Sequence, residues 1–150
     1  MQKALTVAKQ YDIIFRMSDE KLLELKKFFE ADKFVGLAGI DILETGDDYA
    51  VVGAEIGGEH LNAGGAVQGG MLYTAADFAF AVLTNMLHPV TVTQTATITY
   101  IRAAYTSRIT ATAKEIVRSG HNCVVEVTVR DDAGNIVCTG SFNGFINSKK

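Results

Sequence analysis

The sequence predicts an α+β domain: an antiparallel sheet of five or six strands wrapped around one long central helix, with an extra helix near the N-terminus. Three observations predict it. From Met71 to Leu87 nearly every side chain is apolar or small, and a helix that is hydrophobic all round is normally buried. Two β-rich runs precede that stretch and four follow it, an order that argues one sheet and one helix rather than alternating units. No repeat, low-complexity tract or linker divides the 150 residues, a length that suits one core.

Residues 1–35 read as a helical extension, and 36–150 as the main part of a single domain. Residues 1–17 are mixed and suit a short helix or loose chain. Ser18, Asp19 and Glu20 make a helix start, with a capping hydroxyl and acids in the first turn. Leu22, Leu25, Phe28 and Phe29 give that helix an apolar stripe, expected to cover an open edge or end of the sheet. Phe34 to Gly39 reads as a connector. Ile40 to Glu44 and Tyr49 to Ile56 read as strands joined by a turn at Gly46-Asp47-Asp48. Gly57 to Gly69 is a glycine-rich loop, and the buried helix that follows ends near His88, because the residue before Pro89 disfavours helix.

After Pro89 the chain reads as strand. Thr91 to Ile101 is rich in threonine and β-branched residues. Simple alternation puts Val92, Ala96, Ile98 and Tyr100 on one face. Thr106 to Val117 is the next strand, and Arg118 to His121 a turn. Cys123 to Arg130 alternates, with Val125, Val127 and Val129 on one face. A hairpin turn at Asp131 to Asn135 returns the chain as Ile136 to Ile146. In that hairpin Cys138 falls opposite Val129 and Cys123 opposite Gly144, so the two cysteines are not positioned for a disulfide.

Net charge is −3 and the basic residues are scattered, which excludes a nucleic-acid surface. Lys3, Lys9, Asp12 and Arg16 interrupt the N-terminal apolar runs, unlike a secretory signal. The helix is too short and too polar-interrupted for a convincing membrane span. His60, His88 and His121 are dispersed, with no two at metal-ligand spacing, so no metal is expected. Unpaired cysteines suit a reduced compartment, and the expectation is a cytoplasmic protein.

One residue breaks the apolar helix: Asp77. A carboxylate there costs free energy unless it is paired, hydrogen-bonded or reaches a polar site. Gly70 and Asp77 are two turns apart on one face, separated by about 10 Å along the axis. One helix does not bring both to a single reacting atom; a second copy of the helix does.

The order and spacing of Asn62, Gln68-Gly69-Gly70 and Asp77 resembles the hotdog-fold acyl-CoA thioesterases, in particular their phenylacetate-pathway (PaaI-like) branch. There an asparagine precedes His-Gly-Gly at the start of the central helix, and an aspartate follows seven residues after the second glycine. The strand VTVTQTATITYIRAA is similar to the family's third strand, with Thr93 matching its serine or threonine. The turn Arg118-Ser119-Gly120-His121 and the run CVVEVTVRDDAGNIVCTGS are similar to its last hairpin. The match covers about 36–147; the family's histidine is Gln68 here, and glutamine also donates a hydrogen bond.

The resemblance implies hydrolysis of an acyl- or aryl-CoA thioester. CoA enters as part of the substrate, and no separate cofactor is implied. It also implies a homodimer or homotetramer whose sites are shared between subunits. Asp77 would act as general base or nucleophile. The Gly69 or Gly70 amide at the helix N-terminus would hold the oxyanion. Asn62, Gln68 and Thr93 would orient water or carbonyl. Arg102, Arg118, Ser119 and His121 are the candidate CoA contacts, and Tyr73 and Phe78, with Phe80, the candidate acyl-pocket lining. Two alternatives share the fold: a non-catalytic acyl-CoA-binding protein, favoured by Gln68, and a dehydratase, disfavoured because no histidine lies within the helix.

Overall fold

The structure is a computed structural model and describes residues 20–148. The mixed segment 1–17 and the Ser18-Asp19 helix start lie outside those residues. Helical backbone runs over 20–29 (α1). Then follow α2 (Lys33–Leu37), β1 (Asp41–Thr45), β2 (Tyr49–Glu55), a 3-10 turn at Gly58–His60 and α3 (Gly69–Leu87). The chain ends in β3 (Thr91–Tyr100), β4 (Arg108–Ser119), β5 (Asn122–Asp131) and β6 (Ile136–Ile146).

The six strands form one sheet in the order β1-β2-β4-β5-β6-β3, and every neighbouring pair is antiparallel. The sheet holds α3 against one face, the architecture the resemblance implies. Period-two alternation builds that face: Cys123, Val125, Val127 and Val129 point inward from β5 while Glu126 and Arg130 point out. Ala50, Ala111 and Ala113 of the sheet and Ala75, Ala76 and Ala79 of the helix are fully buried. Their small side chains let helix and sheet approach closely. Phe80 stacks on Phe142 with ring centroids 5.6 Å apart, so Phe80 belongs to the core and not to a ligand pocket. Length and composition alone would let α3 cross a membrane; here the sheet and α1 cover its apolar surface.

The cysteine register is the one the sequence predicts. Val129 faces Cys138 and Cys123 faces Gly144, and both thiols are free and buried. Burial pushes the Cys138 thiol up to about 11 and raises the Cys123 thiol as well.

Four expectations are corrected. The connector Phe34 to Gly39 contains α2, because Asp32 caps it: its Oδ1 accepts the Val35 N–H at 3.1 Å. The stripe on α1 is incomplete, since Leu25 is buried but Phe28 is 59% exposed. Its Phe29 meets Phe78 edge-on at 5.2 Å, so α1 also covers the central helix. The turn after β4 is tighter than expected; Arg118 and Ser119 are strand residues, and only Gly120 and His121 turn, with Gly120 at φ +59.

The fourth correction matters for the site. Thr93 pairs with Gly144 and Thr95 with Asn143, so Gln94 is an extra residue in β3. Such a bulge reverses the phase of alternation. Val92 therefore points away from the helix and is 54% exposed. Thr93 instead shares the helix-facing side with Ala96, Ile98 and Tyr100.

At the other end of α3, His88 terminates the helix, its N–H bonded to the Thr84 carbonyl. Its Nε2 lies 2.5 Å from Glu115 Oε2 in a largely buried pair. Its Nδ1 is buried and has no hydrogen-bond partner among the described residues.

Candidate active site

Asp77 sits midway along α3, half-buried, the one charged residue in the apolar run. Burial pushes its carboxyl above the ordinary aspartate range, and the charge of Asp32 adds to that; a hydrogen bond from Thr93 opposes both. The Thr93 hydroxyl donates to Asp77 Oδ1 at 2.8 Å. A cavity of about 330 Å³ opens beside Asp77, lined also by Asp32, Phe34, Tyr73, Thr74 and Phe78.

The helix N-terminus is built from a clamp of short contacts. Gln68 is the N-cap, and its Oε1 accepts both the Gly70 N–H and, at 3.3 Å, the Met71 N–H. The Gly70 amide is therefore committed to the chain's own side chain. Among the described residues no acceptor meets the Gly69 N–H, which leaves Gly69 as the open amide at the positive end of the helix. The Gly69 carbonyl accepts the Tyr100 hydroxyl at 3.0 Å, tying the helix start to β3. Thr74 donates to the Gly70 carbonyl at 2.7 Å.

A second, larger cavity of about 620 Å³ lies at this end, lined by Phe34, Leu37, His60, Gln68, Gly70, Tyr73, Thr74 and Tyr100 among others. The two cavities share Phe34, Tyr73 and Thr74. Together they make a trench along α3, with Gln68 and Gly70 at one end and the Asp77 carboxylate at the other.

Asn62 has a different setting from the one expected. Its Oδ1 accepts the Gly64 N–H at 2.9 Å and the Ala66 N–H at 3.2 Å, the pattern of an Asx turn. Its acceptor end shapes the loop, and only the Nδ2 end remains for a ligand. Tyr73 is 38% exposed in the trench, whereas Phe78 is buried beneath Phe29 and offers the trench an edge.

The candidate CoA contacts do not gather in one subunit. Arg102 follows Tyr100 at the Gly69 end. Arg118 and Ser119 register across β5 and β6 with Thr93 and Val92 at the opposite end of β3, and His121 turns just beyond them. The two groups are about 26 Å apart, at roughly 3.3 Å per strand residue. His121 is also engaged locally: its Nδ1 lies 3.0 Å from the Ile146 carbonyl, and its ring stacks on Phe145.

Sequence reasoning missed His60, Leu37 and Tyr100 as trench residues, and Phe34 as part of a helix beside it. The sequence presents His60 only as a metal-ligand candidate, in a loop whose fold it does not show. Its position depends on the Gly58–His60 turn and the Leu61-to-Val67 bridge, neither of which has a periodic signal.

Comparison with known proteins gives the following. The family model described as "Domain of unknown function (DUF4442)" matches residues 27–146. The acyl-coenzyme A thioesterase PaaI of Escherichia coli K12 is 30% identical over 99 residues, covering 65% of this chain and 71% of its own. The solved structure of the E. coli PaaI protein from the phenylacetic acid degradation operon superposes with a TM-score of 0.81 at 23% identity, covering 89% of this chain and 97% of that one. The TT0310 protein from Thermus thermophilus superposes with a TM-score of 0.71 at 30% identity, covering 77% and 97%.

Proposed function

Because the chain belongs to the DUF4442 family and to the PaaI-like hotdog thioesterases, which makes it a thioester hydrolase, we propose that it cleaves acyl-CoA thioesters with Asp77 as general base. The observation that carries this reading is the Asp77–Thr93 pair at the floor of the trench. A carboxylate raised by burial binds a proton more readily than a solvated one, and a hydroxyl beside it fixes its direction. Asp77 takes a proton from water as the water oxygen adds to the thioester carbon. The C–S bond then breaks and that proton passes to the departing CoA sulfur. Water and thioester give acid and thiol. Gly69 N–H stabilises the oxyanion between these steps. Apolar trench walls at Phe34, Leu37 and Tyr73 suit an acyl or aryl group, and the relative's printed name supports CoA as the thiol carrier.

The working unit in this reading is a homodimer, with a tetramer of such dimers compatible. Gly69 and Asp77 are eight residues apart on one straight helix, about 12 Å along its axis, too far for one small reacting group. The ten-residue strand β3 lies at the sheet edge, and an unpaired edge of that length is a template for a second copy. Each site then takes its amide from one chain and its carboxylate from the other, and Arg102 of one chain is free to meet CoA beside Arg118 or Ser119 of the other. Both cysteines are free, which suits the cytoplasm.

The test is thiol release from a panel of aliphatic and aromatic acyl-CoAs, with Asp77→Asn alongside and sedimentation of both proteins. Turnover by the wild type, lost in a folded Asp77→Asn, supports the reading. Equal turnover by both, or a monomer that is fully active, sinks it.

A further inference from the structure

We propose that His60 is a catalytic hydrogen-bond donor of this site, its Nε2–H joining the Gly69 N–H on the thioester carbonyl oxygen; this rests on the thioesterase reading above. Most donors that line the larger cavity are already engaged. The Gly70 N–H is spent on Gln68. The Tyr100 hydroxyl is spent on the Gly69 carbonyl and the Thr74 hydroxyl on the Gly70 carbonyl. Gly69 is not itself a wall residue but lies between Gln68 and Gly70, which are; its open N–H alone is half of an oxyanion hole, since tetrahedral intermediates are usually held by two or more donors.

His60 is built to supply the other half. Its Nδ1 accepts the Gly57 N–H at 3.0 Å. A nitrogen that accepts from an amide is the unprotonated one, so the neutral ring carries its proton on Nε2. The backbone is held as firmly as the ring: the His60 carbonyl accepts the Gln68 N–H at 2.8 Å, and Leu61 bridges to Val67. Ring and helix start are thus tied to each other within one short loop. Nε2 meets no acceptor among the described residues, and the residue lines the cavity. Gln68 Nε2 and the Tyr73 hydroxyl are further side-chain donors there without a partner among the described residues. His60 is fixed at both ring and backbone before substrate arrives, as Gln68 is through its contacts to Gly70 and Met71 and the Tyr73 hydroxyl is not; such fixing is the property an oxyanion donor needs.

Three variants of the full chain test this: His60→Asn, His60→Ala and His60→Gln. In His60→Asn the Oδ1 replaces Nδ1 on Gly57 N–H, so the loop stays clipped while the donor is lost. The expected result is a Tm near wild type with kcat lower by about 100-fold and KM within about threefold. His60→Gln, whose amide nitrogen reaches near the Nε2 position, recovers part of that loss over His60→Ala. Binding supplies an independent reading. A CoA ketone analogue, with a methylene in place of sulfur, binds about tenfold more weakly to His60→Asn, while a CoA thioether lacking the carbonyl binds equally to both. Wild-type kcat in His60→Asn, or equal weakening of both analogues, overturns the donor role and leaves the general base untouched. A wild type that hydrolyses nothing on the panel overturns the thioesterase reading itself and this proposal with it.

Discussion

Thr93 donates to Asp77 from a strand that has one residue more than its partner. Without the extra Gln94, Thr93 would lie out of phase with Ala96, Ile98 and Tyr100. The bulge delivers a hydroxyl to a carboxylate sixteen residues earlier in the chain. That bond favours the ionised form. Replacing Thr93 by Val removes it, so the Asp77 carboxyl rises further. The acid limb of the kcat/KM profile is expected to move to higher pH, with activity at neutral pH lower by about tenfold. An unmoved limb would separate Thr93 from the base.

Asp77→Asn should cost activity without costing stability. Its folded carboxyl is raised above the ordinary range chiefly by burial. A raised acid binds protons more tightly folded than unfolded. Stability therefore falls as pH rises from the unfolded pKa through the folded one, and stays lower above it. At pH 7 the ionised group is a net cost, and the amide removes it. The expected kcat loss is about 10²–10⁴-fold, with a Tm at pH 7 equal to or above wild type. The Tm difference should shrink at acid pH, and thermal melts at both pH values check it.

Gln68→Ala removes the cap from the central helix. The expected loss is about 1 kcal/mol, or roughly 2–4 °C in Tm for a chain of this size. A larger fall would mean that Gln68 holds more than the Gly70 and Met71 amides.

How much of this was legible in sequence differs by element. The buried helix and the β5–β6 register followed from composition and turn position, because both obey simple periods. The β3 face did not, since a bulge breaks period two without any residue that announces it. Asp77 stood out as the one charge in an apolar helix. The choice between Gly69 and Gly70 was not legible, because it depends on which way the Gln68 carboxamide turns. Capping by Asp32 hid α2 in the same way: a five-residue helix is too short to show a stripe.

Gly144 is predicted to tolerate no side chain. A Cβ there would lie 2.7 Å from the Phe80 ring, 2.8 Å from Cys123 Sγ and 2.9 Å from the Thr91 methyl. These are core atoms held by neighbours on several sides. Gly144→Ala should destabilise by about 1–3 kcal/mol through overpacking, measured by urea denaturation. An unchanged midpoint would show that the core relaxes around it.

Both cysteines should be silent toward thiol reagents in the native protein. Each is buried and its thiol is raised, so the reactive thiolate is scarce near pH 8. Unfolding in guanidinium should release both. Rapid labelling of the native state would contradict the burial. The practical result is that thiol-release assays of this protein read CoA and not its own sulfur.

Gly69 and Asp77 ride on the same α-helix, wedged against the sheet by alanines on both surfaces. In the proposed dimer that helix is a rigid rod whose two stations serve different sites. A slide of the rod along its axis cannot adjust one site alone. It shifts the amide at one and the carboxylate at the other together, so the two sites are mechanically geared.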